Sequence, residues 1–118
     1  METLKILALA LLLSVVTADM IIKPPYVSVY TQEAIEFGKM NHIICYAQGF
    51  YPPLIDIKLK KNGDEIPNCR KDELSFKPDW TYYTMVSVPS TIEAQDKIEC
   101  EISHNQAPPK KYSLDTGL

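Results

Sequence analysis

The stretch HIICYAQGF, residues 42–50, is the starting point for the fold because apolar side chains alternate with others around Cys45. A period of two residues is typical of a β-strand that buries one face. If the cysteine sulfur points inward, side chains two residues away on either side point inward as well. The inward set is then Ile43, Cys45 and Ala47, and the outward set is Ile44 and Tyr46.

The N-terminus indicates the compartment. Residues 1–5 hold one cation, residues 6–16 form an apolar run broken only by a serine, and Thr17 and Ala18 supply small residues for cleavage. This arrangement predicts a secretory signal peptide over residues 1–18. The alternative is a retained membrane anchor, but the apolar run has about half of the ~20 residues that span a bilayer. We therefore expect a mature domain of residues 19–118 that is secreted.

A second stretch, KIECEISH at residues 97–104, repeats the alternation around Cys100. The chain has three cysteines, and an odd number in a secreted chain implies one disulfide and one remaining thiol. We expect the disulfide between Cys45 and Cys100, because each lies within an alternating strand. Cys69 has polar neighbours and no such pattern. We expect it to lie outside the bridge, to be accessible, and to be able to link a covalent homodimer under oxidising conditions.

Seven runs of this kind, separated by segments rich in Gly, Pro, Asn and Asp, predict an all-β protein. The runs are residues 26–30, 41–47, 55–60, 74–76, 81–88, 97–104 and 111–114. Cysteines in the second and sixth of seven short strands indicate an immunoglobulin-type β-sandwich whose disulfide joins the two sheets.

The length and charge narrow the choice of function. A chain of 118 residues supports one small domain, which buries roughly 65% of its unfolded surface. The formal net charge is −3 and the lysines are scattered, so no nucleic-acid-binding surface is predicted.

Four segments carry a family resemblance: CYAQGFYPP (45–53), LKKNG (59–63), DELSFKPDWTYY (72–83) and CEISH (100–104). They resemble the β2-microglobulin family, the light chains of class I histocompatibility molecules. The first and last segments are shared by constant-type immunoglobulin domains, so they imply a seven-stranded constant-type sandwich. The pattern LSFxxDWxxY within residues 74–83 is more specific to this family. The resemblance extends from about residue 23 to residue 104.

Three residues depart from the family pattern. Ile98 stands where the superfamily has a tyrosine that ties a strand corner, and Leu114 stands where this family has a second tryptophan. Cys69 is foreign to the pattern. A divergent orthologue and a paralogue with a changed partner both fit these departures. The resemblance also suggests a cis peptide bond before Pro52, the alternative being an ordinary trans turn.

The two outer surfaces differ in polarity. Inward parity of Ile55, Ile57 and Leu59 sends Asp56, Lys58 and Lys60 outward, which gives one sheet a charged surface. On the other sheet, the resemblance places Tyr82 inside, with Tyr83 and Met85 outside. The expected partner-binding residues are Ser28, Tyr30, Ile44, Tyr46, Phe76, Trp80, Tyr83 and Met85. The alternative is that these aromatic residues only form ordinary cross-strand pairs.

Catalytic and metal sites are not predicted. His104 ends a strand with inward parity, where we expect a structural hydrogen bond rather than a catalytic base, and we expect His42 on the surface. Glu99 and Glu101 are neighbours on one strand face, and a weak cation site there is the alternative to a solvated pair. We expect no cofactor, no metal and no enzymatic activity.

The resemblance implies a non-catalytic light chain that associates non-covalently with a class I histocompatibility-like heavy chain and stabilises it for peptide antigen presentation. We expect it in the endoplasmic reticulum lumen, and at the cell surface when bound. The alternative is a secreted immunoglobulin-like decoy or receptor module with a different protein ligand. Trp80 follows the polar turn Lys77–Asp79. We expect it to be a binding anchor, unless it folds back over its own hairpin.

Overall fold

The computed structural model describes residues 21–117, so the predicted signal peptide, residues 1–18, lies outside the described residues. Two antiparallel sheets pack face to face. The strands are β1 (Tyr26–Thr31), β2 (Met40–Phe50), β3 (Ile55–Lys61), β4 (Asp64–Glu65), β5 (Arg70–Lys71), β6 (Ser75–Phe76), β7 (Tyr82–Thr91), β8 (Ile98–His104) and β9 (Lys110–Ser113). One sheet has the order β1-β2-β7-β5, with β6 also paired to β7, and the other has the order β4-β3-β8-β9. The predicted all-β sandwich is confirmed. Within residues 21–117 no helix is long and apolar enough to cross a membrane.

The number of strands differs from the prediction. All seven predicted runs overlap a strand, but the two-residue strands β4 and β5 were not predicted. β4 returns along β3 after a two-residue turn, Asn62 and Gly63, in which both residues have positive φ. β5 and β6 form one interrupted sheet edge, because the pairing with β7 slips by one residue between Lys71 and Ser75. Two residues are too few to show an alternating pattern.

The core lies between the sheets with the predicted parity. A disulfide joins Cys45 and Cys100, whose Cα atoms are 6.3 Å apart, and Cys69 is free. Both halves of the cysteine prediction are therefore confirmed. The buried apolar residues are Ile43, Cys45, Ala47, Phe50, Ile57, Leu59, Val86, Val88, Ile92, Ile98, Cys100, Ile102 and Leu114. Val27 and Val29 of β1 pack against this core, so Ser28 and Tyr30 face outward as predicted.

The three residues that depart from the family pattern lie at two buried positions and one half-buried position. Ile98 and Leu114 both lie in the core, and the Leu114 N–H donates to the Ile98 carbonyl oxygen at 2.9 Å. Apolar packing thus fills the corner where the superfamily has a tyrosine. Cys69 was expected to be accessible, but it is half-buried and packs against the core. The short strand β5, which directly follows Cys69, pairs with Ser87 and Val86 of β7.

The start of the loop between β2 and β3 is held by two sets of contacts. Lys23 and Tyr51 exchange backbone hydrogen bonds of 2.8 and 3.0 Å, and the peptide bond before Pro52 is cis, which was one of the two alternatives. His104 lies with Nε2 2.9 Å from the Pro52 carbonyl oxygen and its ring edge-on to Phe50. The structural role predicted for His104 is confirmed, and the loop is anchored to the core.

Candidate functional site: an aromatic sheet face

Six of the predicted partner residues share the outer surface of the five-stranded sheet. In the register of β1, β2 and β7, Tyr30 lies opposite Ile44, Ser28 opposite Tyr46, and Tyr46 opposite Met85. The rings of Tyr46 and Tyr83 are 6.4 Å apart, so the tyrosines of β2 and β7 are neighbours. These side chains therefore form one continuous surface that faces away from the core. We call it the aromatic face, defined as these residues together with the two edge residues Phe76 and Trp80.

Phe76 and Trp80 project from the end of this surface. Their rings are stacked with centroids 6.3 Å apart and an interplanar angle of 6°. Phe76 is 66% exposed and Trp80 is 75% exposed. A single aromatic ring on a surface is unremarkable, but a stacked and exposed pair beside further tyrosines is an apolar patch of the kind that marks interaction sites. The pair covers itself on one side and leaves the other to solvent.

The loop between β6 and β7 fixes the position of the indole. The Trp80 N–H donates to the Lys77 carbonyl oxygen at 2.9 Å, which closes a β-turn with proline at its second position. Asp79 Oδ1 accepts hydrogen bonds from the hydroxyl and the backbone N–H of Thr81, at 2.6 and 3.0 Å. These bonds hold the pKa of the Asp79 carboxyl below its usual value. The carboxylate therefore stays ionised and keeps the turn closed.

The backbone of Trp80 is itself unusual. Its φ is +68°, in the left-handed region that favours glycine. A turn followed by a left-handed residue is a common hairpin loop, and that residue is usually glycine. A tryptophan there is strained by about 1 kcal/mol or more. The strain is local to a residue that is three-quarters exposed.

Two further aromatic residues extend the site, and sequence reasoning did not assign them to it. Tyr51 is 41% exposed, and its ring stacks on Tyr82 with centroids 6.4 Å apart. Tyr82 in turn meets Phe76 edge-on at 6.3 Å. The aromatic chain thus runs from Trp80 through Phe76 and Tyr82 to Tyr51. An aromatic residue next to a proline pair in the loop was the only available signal, since a loop has no alternation that shows where its side chains point.

A shallow cavity of about 230 Å³ opens where the aromatic face meets the interrupted sheet edge. Tyr46, Tyr83 and Met85 form its apolar side, and Asp72 and Glu73 form an acidic side. Arg70 Nε lies 3.5 Å from Asp72 Oδ1, so one of the two carboxylates is paired. The aromatic face therefore ends in a polar rim, as protein interfaces do.

The outer surface of the other sheet is charged, as predicted. Lys60 Nζ lies 2.5 Å from Glu101 Oε2, and Lys58 lies opposite Glu101 in the register of β3 and β8. The hydrogen bond between Lys60 and Glu101 raises the pKa of the lysine and lowers that of the glutamate. Ion pairs cover part of this surface. Only one of the two sheets is apolar on the outside.

Residues that could bind a metal or act in catalysis are not brought together within the described chain. In residues 21–117, no three His, Cys, Asp or Glu side chains are placed to hold a metal ion. The imidazole of His104 is engaged inside the domain, and His42 lies exposed on the outer surface of β2.

Comparisons with known proteins agree with this fold. An immunoglobulin C1-set domain profile matches residues 27–107. The beta-2-microglobulin of Xenopus laevis is 47% identical over 109 residues, which are 92% of this chain and 95% of that protein. That of Tachyglossus aculeatus aculeatus is 40% identical over 85% of each chain, and that of Paralichthys olivaceus is 44% identical over 80% of this chain and 82% of its own. On this similarity, the chain belongs to the β2-microglobulin family of immunoglobulin C1-set domains.

Proposed function

We propose that this chain is a non-catalytic light chain that packs non-covalently beneath a class I histocompatibility-like heavy chain. The observation that supports the proposal best is an aromatic face that ends in an indole 75% exposed at a strained backbone position. Membership of the β2-microglobulin family supports the choice of partner, and it does not favour the alternative of a decoy or receptor module. Peptide presentation belongs to the complex rather than to this chain.

The proposed mechanism is thermodynamic linkage. A chain that binds only the folded heavy chain raises the folded population of that heavy chain. The stabilisation is about 2.7 kcal/mol when the free light chain is at 100 times its Kd. For a heavy chain of marginal stability, this gain decides whether the peptide-binding platform survives assembly.

The proposed contact surface consists of the eight residues predicted from the sequence, with Tyr51 added. The eight are Ser28, Tyr30, Ile44, Tyr46, Phe76, Trp80, Tyr83 and Met85. Six of them lie on the outer surface of the sheet, and Phe76 and Trp80 lie stacked at its end, so a single partner could reach all eight. The charged outer surface of β3 and β8 would then stay in water.

The proposal includes a route through the secretory pathway. Residues 1–18 would be removed as a signal peptide, and residues 19–118 would form the mature domain. The family implies a secreted or cell-surface protein. We further propose that the heavy chain is met in the endoplasmic reticulum lumen, where the disulfide between Cys45 and Cys100 can form.

A light-chain exchange experiment tests the proposal. A labelled wild-type chain is displaced from a recombinant class I heavy-chain ectodomain of the same animal by unlabelled variants. Ile44→Glu and Lys58→Gln each lower the net charge by one, but only the first would bury an unpaired ion in the proposed contact. We expect Ile44→Glu to compete at least 30-fold more weakly than Lys58→Gln, and equal competition by the two variants would refute the assignment of faces. If the wild-type chain binds no class I heavy chain, the proposed function itself is wrong.

A homodimer linked through Cys69 is a second, separate proposal. Burial raises the pKa of the Cys69 thiol, and its sulfur lies 3.2 Å from the Ile66 carbonyl oxygen. Both features disfavour the reactive thiolate, so we expect the dimer to form slowly. Non-reducing electrophoresis after mild oxidation should give a dimer for the wild-type chain and none for Cys69→Ser. A wild-type chain that stays monomeric would make Cys69 a small apolar packing residue.

A further inference from the structure

One charged side chain lies over the aromatic face. Lys77 begins the turn that carries Trp80, but its ammonium group reaches back over the sheet. Nζ donates a hydrogen bond to Oε1 of Gln48 at 2.7 Å and lies 5.8 Å from the centre of the Tyr83 ring. Gln48 and Tyr83 are opposite each other on β2 and β7, the central pair of the sheet. The cation therefore lies over one residue of the proposed contact, Tyr83.

The acidic groups nearest to this cation are engaged elsewhere or stand apart from it. The Asp79 carboxylate accepts two hydrogen bonds from Thr81, and Asp72 is paired with Arg70. Glu73 is exposed at the sheet edge. The charges of Lys23 and of Lys77 itself both lower the pKa of Asp79, so the Lys77 cation attracts this carboxylate without forming an ion pair with it. None of the ion pairs formed between residues 21 and 117 includes Lys77.

The Lys77 ammonium group has more hydrogen-bond donors than its neighbours in this chain accept. An ammonium group has three donors, and Gln48 accepts one of them while the Tyr83 ring supplies only a weaker contact. Water satisfies the rest in the free chain. A partner that covers the aromatic face removes this water, and a desolvated cation without an opposite charge is strongly unfavourable. The partner must therefore supply the missing acceptors.

We propose that the heavy-chain surface places an aspartate or glutamate carboxylate against Nζ of Lys77, so that Lys77 is a specificity-determining residue of the contact. The inference rests on the proposed light-chain function. A carboxylate meets the charge and two donors at once, and charged hydrogen bonds of this kind are the stronger ones. A heavy chain with an apolar or basic group at that place is rejected, because binding it leaves the lysine buried and unpaired.

The same light-chain exchange experiment tests the inference with other variants. Lys77→Met removes the charge at similar length, Lys77→Arg keeps the charge, and Lys58→Met is the control that loses a cation from the opposite sheet. We expect Lys77→Met to compete about 30-fold or more weakly than the wild-type chain, since loss of one member of a buried charge pair has effects of this size. Lys77→Arg and Lys58→Met should compete within a few-fold of it. Thermal unfolding of each free variant verifies that the domain is folded.

Charge reversal identifies the partner group. Lys77→Glu should bind poorly, and one Asp→Lys or Glu→Lys change on the heavy-chain contact surface should restore its binding. A Lys77→Met variant that competes like the wild-type chain would overturn the inference, and so would a failure of every acidic reversal to restore Lys77→Glu. These outcomes leave the proposed function intact as long as Ile44→Glu still competes poorly. If the wild-type chain does not bind the heavy chain at all, both proposals are wrong.

Discussion

Replacing Trp80 separates the contribution of its side chain from that of its backbone. Trp80→Ala removes the indole but keeps a Cβ at a φ of +68°, whereas Trp80→Gly removes the indole and the steric strain together. Both variants lose the same binding surface. The two should therefore bind the heavy chain equally weakly and differ in the stability of the free domain.

The exposed area of the indole sets the size of the binding effect. A tryptophan buries about 200 Å² in a full contact, so a residue that is 75% exposed leaves about 150 Å² for a partner. At about 25 cal/mol per Å² this area is worth about 4 kcal/mol, which agrees with the ~2–4 kcal/mol lost on truncation at binding hot spots. We expect the Kd for the heavy chain to rise about 30- to 1,000-fold in both variants.

The left-handed backbone sets the size of the stability difference. A side chain at positive φ costs about 1–2 kcal/mol relative to the right-handed region, and glycine avoids this cost. Trp80→Gly should therefore be about 1 kcal/mol more stable than Trp80→Ala, which is about 4–8 °C in Tm for a domain of this size. The stack on Phe76 is lost in both and does not affect the comparison.

Thermal unfolding of the free variants and light-chain exchange measure the two quantities independently. The reasoning is refuted if both variants lose several kcal/mol of stability while their binding per folded molecule is unchanged. In that case the indole supports its own hairpin, which is the alternative considered from the sequence. A glycine variant less stable than the alanine variant would refute the argument from strain alone.

Three further predictions concern the domain itself. A hydrogen bond from the Glu93 N–H holds the pKa of Asp96 below its usual value. The Asp96 carboxylate therefore stabilises the fold above about pH 4, and this stabilisation is lost as the pH falls through the lowered folded-state pKa. Chemical unfolding across pH should show that Asp96→Asn is less stable at pH 7 and loses less stability on acidification, and parallel pH curves would contradict this. Replacing both Cys45 and Cys100 by alanine should lower the free energy of unfolding by about 4 kcal/mol, because the bridge closes a 55-residue loop, and a loss below about 1 kcal/mol in urea titration would contradict it. Gly49→Ala should lower it by about 1–2 kcal/mol, because φ is +73° at the bulge in β2, and an unchanged urea midpoint would contradict it.

Parity is what made most of the site predictable from the sequence. Once one side chain of a strand is assigned inward, the period of two leaves no freedom for the others, so Cys45 was enough to place Ile44 and Tyr46 on the outer surface. No such rule applies outside strands. The position of Tyr51 depends on the path of a loop, and Cys69 precedes an edge strand of two residues, which is too short to show a pattern. These features come from tertiary packing, which a local pattern does not contain.

The conflict between Trp80 and its backbone is the strongest reason to assign this end of the domain to binding. In most proteins the local preferences of a residue and its place in the fold agree, and disagreements cluster where function requires them. Glycine would satisfy the turn after Asp79 without strain, and a polar side chain would satisfy the solvent. A tryptophan meets neither local demand, since its backbone is left-handed and its ring is three-quarters exposed. A partner that buries the ring removes the cost of its exposure and offsets the strain of the left-handed backbone. The residue is therefore favourable in a complex and unfavourable in the free chain.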